Sequence, residues 1–360
     1  MSDYQTTRKK DYTVKLRQVL KDLPQFCGLY FRSMETRSSV LTRYGYAIDL
    51  RTFFEFLVTE QDGFKDKTVK SITLSDLDSV SALDIELYLD SVTLYKKDER
   101  ELENSENAKA RKLAAIRSFL KYYFKQQLIS ANVAALVDSP KLHEKAIIRL
   151  EPNEVAELLD RTDDGAGLSE RQKKYHQTTK VRDAAILTLF LGTGIRISEL
   201  VGIDVDDIDF ETDSFVVTRK GGDQEILSFG DEVRTALLRY LEQRNQEVTL
   251  EGHEDALFLS IQRRRITARA VENLVSKYTK VACPLKKITP HKLRSTYGTM
   301  LYSESGDIYL VADVLGHKDV NTTRRHYAAM SEERRRSAAN MVTLRDDEKD
   351  IPEIGKDDPI

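Results

Sequence analysis

Apolar positions recur at helical spacing along most of the chain. After a polar, charged stretch over residues 1–24, which suits a loose arm or a short helix, Phe26 to Met34 forms an apolar helical segment. From Ser39 to Glu60 the positions Ala47, Leu50, Phe54, Leu57 and Val58 make a stripe down one side of a helix. Ser81 and Asp84 have capping-box spacing and should open a helix that runs through Leu94. The polar run 96–107 reads as a loop. From Glu106 to Gln127, Leu113, Ile116, Leu120, Tyr123 and Phe124 alternate with lysines and arginines, so one face packs and the other is basic. This pattern predicts an all-helical bundle over residues 25–138.

The pattern breaks at Ser139-Pro140, and 139–150 reads as a linker. A helix begins again near Pro152, and the polar stretch 163–180 is a loop or an extra helix inserted before the apolar run Ala184 to Leu191. Gly192-Thr193-Gly194 makes a turn, followed by Arg196 and a short helix carrying Glu199 and Leu200. Ser214–Thr218 and Glu225–Phe229 are β-branched or aromatic runs that form a hairpin with Lys220 at its turn. Helices follow at Asp231–Gln246 and Thr267–Ala282, with a strand-like Ala256–Ser260 between them. Thr289 and Pro290 suit the cap and first position of a further helix. That helix opens with His291 and Arg294 on one face, where its unpaired N–H groups favour an anion. The expected fold is mostly α with a small β-sheet, an α+β catalytic half over residues 151–345 behind the helical bundle.

Composition narrows the class. At 360 residues the chain exceeds one compact core, which makes two domains the expectation. Cys27 and Cys283 lack His or Cys neighbours at ligand spacing, so neither a disulfide framework nor a metal site is expected. The first 15 residues lack the apolar core of a signal peptide, and no run reaches the roughly 20 apolar residues of a membrane span. A soluble cytoplasmic protein without cofactors is the expectation. Net charge is −3 overall, but it is unevenly distributed. Residues 346–360 hold seven acids and two lysines, an acidic tail of net −5. Residues 261–295 hold ten Lys or Arg against Glu272, a net of +9, which suggests a surface that tracks phosphates.

The ordered set GTGIRISEL around Arg196, the hairpin Lys220, TPHKLRSTYGT around His291 and Arg294, LGHKDV around His317 and TTRRHYA around Tyr327 resembles the tyrosine recombinase, or phage integrase, family. Within it the chain is most similar to Xer-type recombinases and compact two-domain integrases. Thr42, Tyr46, Asp49, Leu50 and Phe54 extend the resemblance to that family's SAM-like core-binding domain. The resemblance implies a C-shaped two-domain clamp on double-stranded DNA. It casts Tyr327 as a nucleophile that forms a 3′-phosphotyrosyl link and frees a 5′-hydroxyl. Arg196 and Arg294 would hold the non-bridging oxygens, Lys220 would protonate the leaving oxygen, His291 would assist proton transfer, and His317 would hydrogen-bond the phosphate. A helix over 331–344 would dock on a neighbouring subunit in a tetramer or pack on its own subunit.

The chemistry suits those roles. Planar guanidiniums match the charge that develops on a phosphodiester under attack, and preorganised donors of this kind contribute about 3 kcal/mol each. A phenol with a pKa of about 10 needs a nearby base or positive charge to attack at neutral pH. The chain departs from the family in Ser295, where many relatives have a second His, and in the ten-residue step from His317 to Tyr327. Tyr302 and Tyr309 fit helix packing better than a nucleophile's role. Glu199 and Asp183 are expected to be structural acids, and His143, His176 and His253 to be surface residues in polar loops. Two other readings stay open: a catalytically inactive DNA-binding accessory factor, and a type IB topoisomerase-like relaxing enzyme.

Overall fold

A computed structural model describes residues 3–97, 100–141, 148–219 and 222–316. The chain divides into two compact units, the first built on residues 1–146 and the second on 147–219 and 224–360. The first unit has helices α1 (Asp3–Leu20), α2 (Cys27–Ser33), α3 (Val40–Glu60), α4 (Leu74–Leu77) and α5 (Ala82–Ser91). An antiparallel pair, β1 (Leu94–Lys97) and β2 (Arg100–Glu103), follows, and then α6 (Glu106–Lys125).

Two expectations are corrected here. Residues 3–20 are a full helix whose Leu16 and Val19 are buried in the bundle core, and the polar run 96–107 contains most of a hairpin rather than a loop. Isolated polar sequence hides both, because α1 contributes only an occasional apolar residue and a hairpin can form from charged strands when its ladder is satisfied. The capping box at Ser81 is present: the Asp84 amide donates to Ser81 Oγ, and the Ser81 amide donates to Asp84 Oδ2. The bundle core is aromatic. Phe26 packs on Phe54, Phe119 and Tyr123 with ring centroids 5.6–6.3 Å apart. The buried hydroxyls are satisfied, with Tyr30 Oη donating to Ser118 Oγ and Tyr123 Oη to the Phe26 carbonyl.

The second unit begins with α7 (Pro152–Asp164) and α8 (Glu170–Thr193). The stretch 163–180 is thus the end of one helix, a turn through Gly165, and the first half of the next. Ser169 caps α8, donating its amide to Gln172 Oε1, 2.9 Å away. Then come α9 (Ile197–Leu200), strands β3 (Ile208–Asp209), β4 (Ser214–Thr218) and β5 (Gln224–Ser228), and helices α10 (Asp231–Arg244), α11 (Ala268–Ala282), α12 (Pro290–Ser305) and α13 (Ile308–Val314). The sheet is antiparallel in the order β3-β4-β5, with Phe215 opposite Leu227 and Thr218 opposite Gln224. Residues 256–260 do not form a strand; they make only single bridges, Asp204 with Ala256 and Leu259 with Arg265.

The apolar second half of α8 is the axis of this unit. Ile186, Leu187 and Phe190 are fully buried, and α7, α10 and α12 pack around the helix. Its Gly192 lies against Val233 of α10, where a Cβ would have no room. Among the described residues no helix is long and apolar enough to cross a membrane. The expected 331–344 helix and the 346–360 tail lie outside the described residues.

Candidate active site

The site begins where α8 stops. Gly194 adopts φ 62°, a left-handed conformation that favours glycine, and its N–H donates to the Phe190 carbonyl at 3.0 Å. A Cβ there would sit 2.5 Å from the Tyr297 ring and 2.8 Å from Leu315. The reversed chain buries Ile195 and leaves Arg196 at the cap position of α9. The Arg196 amide donates to Glu199 Oε2 at 3.0 Å, and its Nη1 donates to Glu199 Oε1 at 2.8 Å. The other arm, Nη2, donates to the carbonyls of Gly316 at 3.0 Å and Leu315 at 3.3 Å.

Arg294 arrives from another direction. Pro290 is the first residue of α12, as expected, although the Thr289 side chain makes no capping bond. One turn further on, Arg294 is 4% exposed. It donates from Nη1 to the Gly194 carbonyl at 2.6 Å and from Nη2 to the Leu315 carbonyl. Two guanidiniums separated by 98 positions in sequence therefore share one backbone oxygen at the C-terminal end of α13. The chain continues from Gly316, at φ 58°, into His317.

A third arginine joins them, and sequence reasoning missed it. Arg219, 8% exposed at the end of β4, donates from Nη1 to both oxygens of Glu199 at 3.1 and 3.2 Å. Its Nε and Nη2 donate to the two oxygens of Glu225 at 2.5 and 2.9 Å. The only available signal was an Arg and a Glu placed on either side of a hairpin turn. Hydrogen bonding from Arg219 holds the Glu225 carboxyl below its usual range, with further help from the charges of Arg196 and Arg294. Burial works against the charge on Arg219, but its bonds to Glu225 and Glu199 outweigh that and raise its pKa. Glu199 is the structural acid that the sequence suggested, receiving an amide and two arginines.

His291 lies exposed on the first turn of α12, three residues before Arg294, and its carbonyl accepts from Ser295 Oγ at 3.1 Å. Lys220, His317 and Tyr327 lie outside the described residues, so the structure brings together Arg196 and Arg294 of the six candidates. Tyr302 is half-buried against α13, whereas Tyr309 is 71% exposed and does not pack as expected.

The basic run 261–295 is not one open surface. Arg265 pairs with Asp204, Lys277 with Asp183 at 2.8 Å and Lys286 with Glu154 at 2.5 Å, while Arg294 is buried. His176 is also corrected. It is 2% exposed on α8, with Nδ1 3.1 Å from Tyr278 Oη. Helical spacing from Asp183 turns it inward. His253 is half-buried in a turn, and His143 lies outside the described residues.

Arg196 and Arg294 thus converge on backbone carbonyls at the C-terminal ends of α8 and α13, and planar donors so arranged match the geometry of a tetrahedral oxyanion. Residues 149–334 match the phage integrase family. A tyrosine recombinase XerC from Caldanaerobacter subterraneus subsp. tengcongensis is 34% identical over 324 residues, covering 88% of this chain and 85% of that protein. A tyrosine recombinase XerS from Lactococcus lactis subsp. lactis is 29% identical, covering 92% of this chain and 100% of its own length. Two solved structures share the fold at 20% identity and a TM-score of 0.61. One is the Tn1549 transposon integrase with circular intermediate DNA, over 89% of this chain and 100% of that one. The other is the XerH recombinase bound to a palindromic difH substrate, over 84% and 80%.

The chain belongs to the phage integrase family of tyrosine recombinases. It is a DNA strand-breaking and rejoining enzyme of site-specific recombination.

Proposed function

We propose that Tyr327 is the nucleophile and that Arg196 and Arg294 together hold the scissile phosphate. The observation that carries this reading is the Leu315 carbonyl shared by both guanidiniums. A phosphate oxygen arriving there exchanges a neutral acceptor for a charged one, adding ion-pair attraction and the chance of a bidentate fork to bonds already charge-assisted by the guanidiniums. The Tyr327 oxygen attacks phosphorus while the bond to the 5′-oxygen breaks. His291 assists removal of the phenolic proton, Lys220 delivers a proton to the departing 5′-oxygen, and His317 hydrogen-bonds the phosphate. The product is a 3′-phosphotyrosyl link and a free 5′-hydroxyl. Because the link stores the phosphodiester bond, the reverse attack by a new 5′-hydroxyl reseals DNA without ATP and with no resident cofactor in the cycle.

The partner in this reading is double-stranded DNA carrying paired recombination sites, on which four copies of the chain assemble in the cytoplasm, with the 331–344 helix as the link between neighbours. The DNA-bound relatives support the first half of that reading. The test uses nicked suicide duplexes that lose a short 5′-hydroxyl fragment on cleavage, tiled across candidate sites. Wild-type protein is expected to form a covalent protein–DNA adduct on one site, and Tyr327→Phe none. An adduct formed by Tyr327→Phe removes Tyr327 from the role.

A further inference from the structure

We propose that Arg219 is a positioning residue for strand cleavage: through Glu199 it sets the direction of the Arg196 guanidinium, and through Glu225 it locks the end of the hairpin from which Lys220 continues. The inference rests on the reading of Arg196 as a phosphate-holding group and goes beyond it to a residue outside the six.

Three observations carry it. First, Arg219 sits in the middle of a continuous chain, Arg196–Glu199–Arg219–Glu225, in which every link is a direct ion pair. An arginine serving only to close the hairpin would need Glu225 alone. Its Nη1 instead reaches both oxygens of a carboxylate on α9, an element outside the sheet. Second, Glu199 is 4% exposed and has two guanidiniums to share. With Arg219 taking part of its charge, Arg196 keeps one arm on Glu199 and leaves the other on the carbonyls of Leu315 and Gly316. Without Arg219, the buried carboxylate would draw Arg196 into a closed pair and away from the phosphate position. Third, the guanidinium lies flat against Gly316, where an added Cβ would be 2.8 Å from Arg219 Cζ. Leaving the end of β4, the side chain thus touches β5, α9 and the end of α13, and the chain runs from the ends of β4 and α13 directly on to Lys220 and His317.

The test uses the full-length chain with Arg219→Gln, Arg219→Lys and Glu225→Gln, alongside Tyr327→Phe as a control. Single-turnover cleavage of a suicide duplex is measured at saturating protein, together with duplex affinity and thermal melting. A positioning role lowers the cleavage rate of Arg219→Gln by about 100-fold, the scale of a misplacement of about 1 Å. Affinity stays within about threefold of wild type, since the effect lies in the reacting geometry and not in uniform binding. Arg219→Lys recovers part of the rate, because an ammonium keeps the charge but not the fork that spans two carboxylates. Glu225→Gln shows a smaller loss. Wild-type cleavage by Arg219→Gln overturns the proposal, as does a loss in which affinity, melting and rate fall together and Arg219→Lys is no better. Cleavage by Tyr327→Phe is a different failure, since it removes the site reading itself.

Discussion

Two buried carboxylates in the catalytic unit, Asp183 and Glu199, both sit among cations and do opposite things. At Asp183 the donors converge: Thr179 Oγ1, Lys277 Nζ and Tyr278 Oη reach Oδ2 at 2.8–3.0 Å, and Arg182 reaches Oδ1 through two nitrogens while its remaining arm donates to the Leu259 carbonyl at 2.8 Å. Burial alone would raise that carboxyl's pKa, but Arg182 and Lys277 outweigh it and hold it below its ordinary value. This is a knot that ties α8 to α11 and, through Arg182, to the segment at Leu259. Glu199 is instead a link, because the arginines it holds run on to Glu225 and to the carbonyls at the end of α13. The Asp183 cluster sends one arm to one carbonyl, whereas Arg196 and Arg294 converge on the single carbonyl of Leu315, which on the proposed reading is where an anion binds. The number of charges is similar in the two, and what separates them is the meeting of two arginines on one backbone oxygen.

The comparison breaks most readily at Arg294. Arg294→Ala is expected to lower single-turnover cleavage by about 1000-fold, the upper range for loss of one preorganised donor; a rate near wild type would put the anion elsewhere. Asp183→Asn should give the reverse signature. It leaves Arg182 and Lys277 without their shared anion and lowers unfolding free energy by about 3 kcal/mol. The folded fraction should still cleave at nearly the wild-type rate, and a stable but inactive variant would place Asp183 in the chemistry. Gly194→Ala tests the join between the two clusters, because a Cβ at φ 62° meets Tyr297 and Leu315. It should cost about 2 kcal/mol in denaturant titration and lower cleavage as well.

The smallest effect concerns His176, which faces Tyr278, Lys277 and Asp183. Burial and then the charge of Lys277 push its pKa below the ordinary 6.5. Below the ordinary 6.5 the folded protein therefore binds fewer protons than the unfolded chain, so this stability is full above pH 6.5 and is lost as pH falls from there through the lower pKa of the folded state. Melting temperatures measured from about pH 8 to about pH 5 should decline, with a shallower slope in His176→Gln; equal slopes would remove His176 as the cause.

Much of this was legible in sequence because local rules decided it. The turn at Gly192-Thr193-Gly194 before Arg196, Pro290 at the start of α12 and the hairpin around Lys220 all follow from turn and cap chemistry. The long helix α8 was obscured because its first half is polar throughout, although Ser169 and Gln172 have the spacing of a capping box. His176 looked like a surface residue for the same reason, since its neighbours in sequence are polar while its neighbours in space are Tyr278 and the turn at Gly165. Arg219 could not be singled out at all. Its meaning depends on Glu199, twenty residues away, and on Gly316, nearly a hundred, and nothing in local periodicity records such a meeting.

The central claim is that Arg196 and Arg294 close on one phosphorus. The most direct measurement is a crystal structure of the wild-type protein trapped on a suicide duplex. Both guanidiniums should lie about 3 Å from non-bridging oxygens of the same phosphate, with that phosphate joined to Tyr327 and the Leu315 carbonyl released by at least one of them. A phosphate held by only one of the two arginines, with the other still bound to backbone carbonyls, would contradict the account.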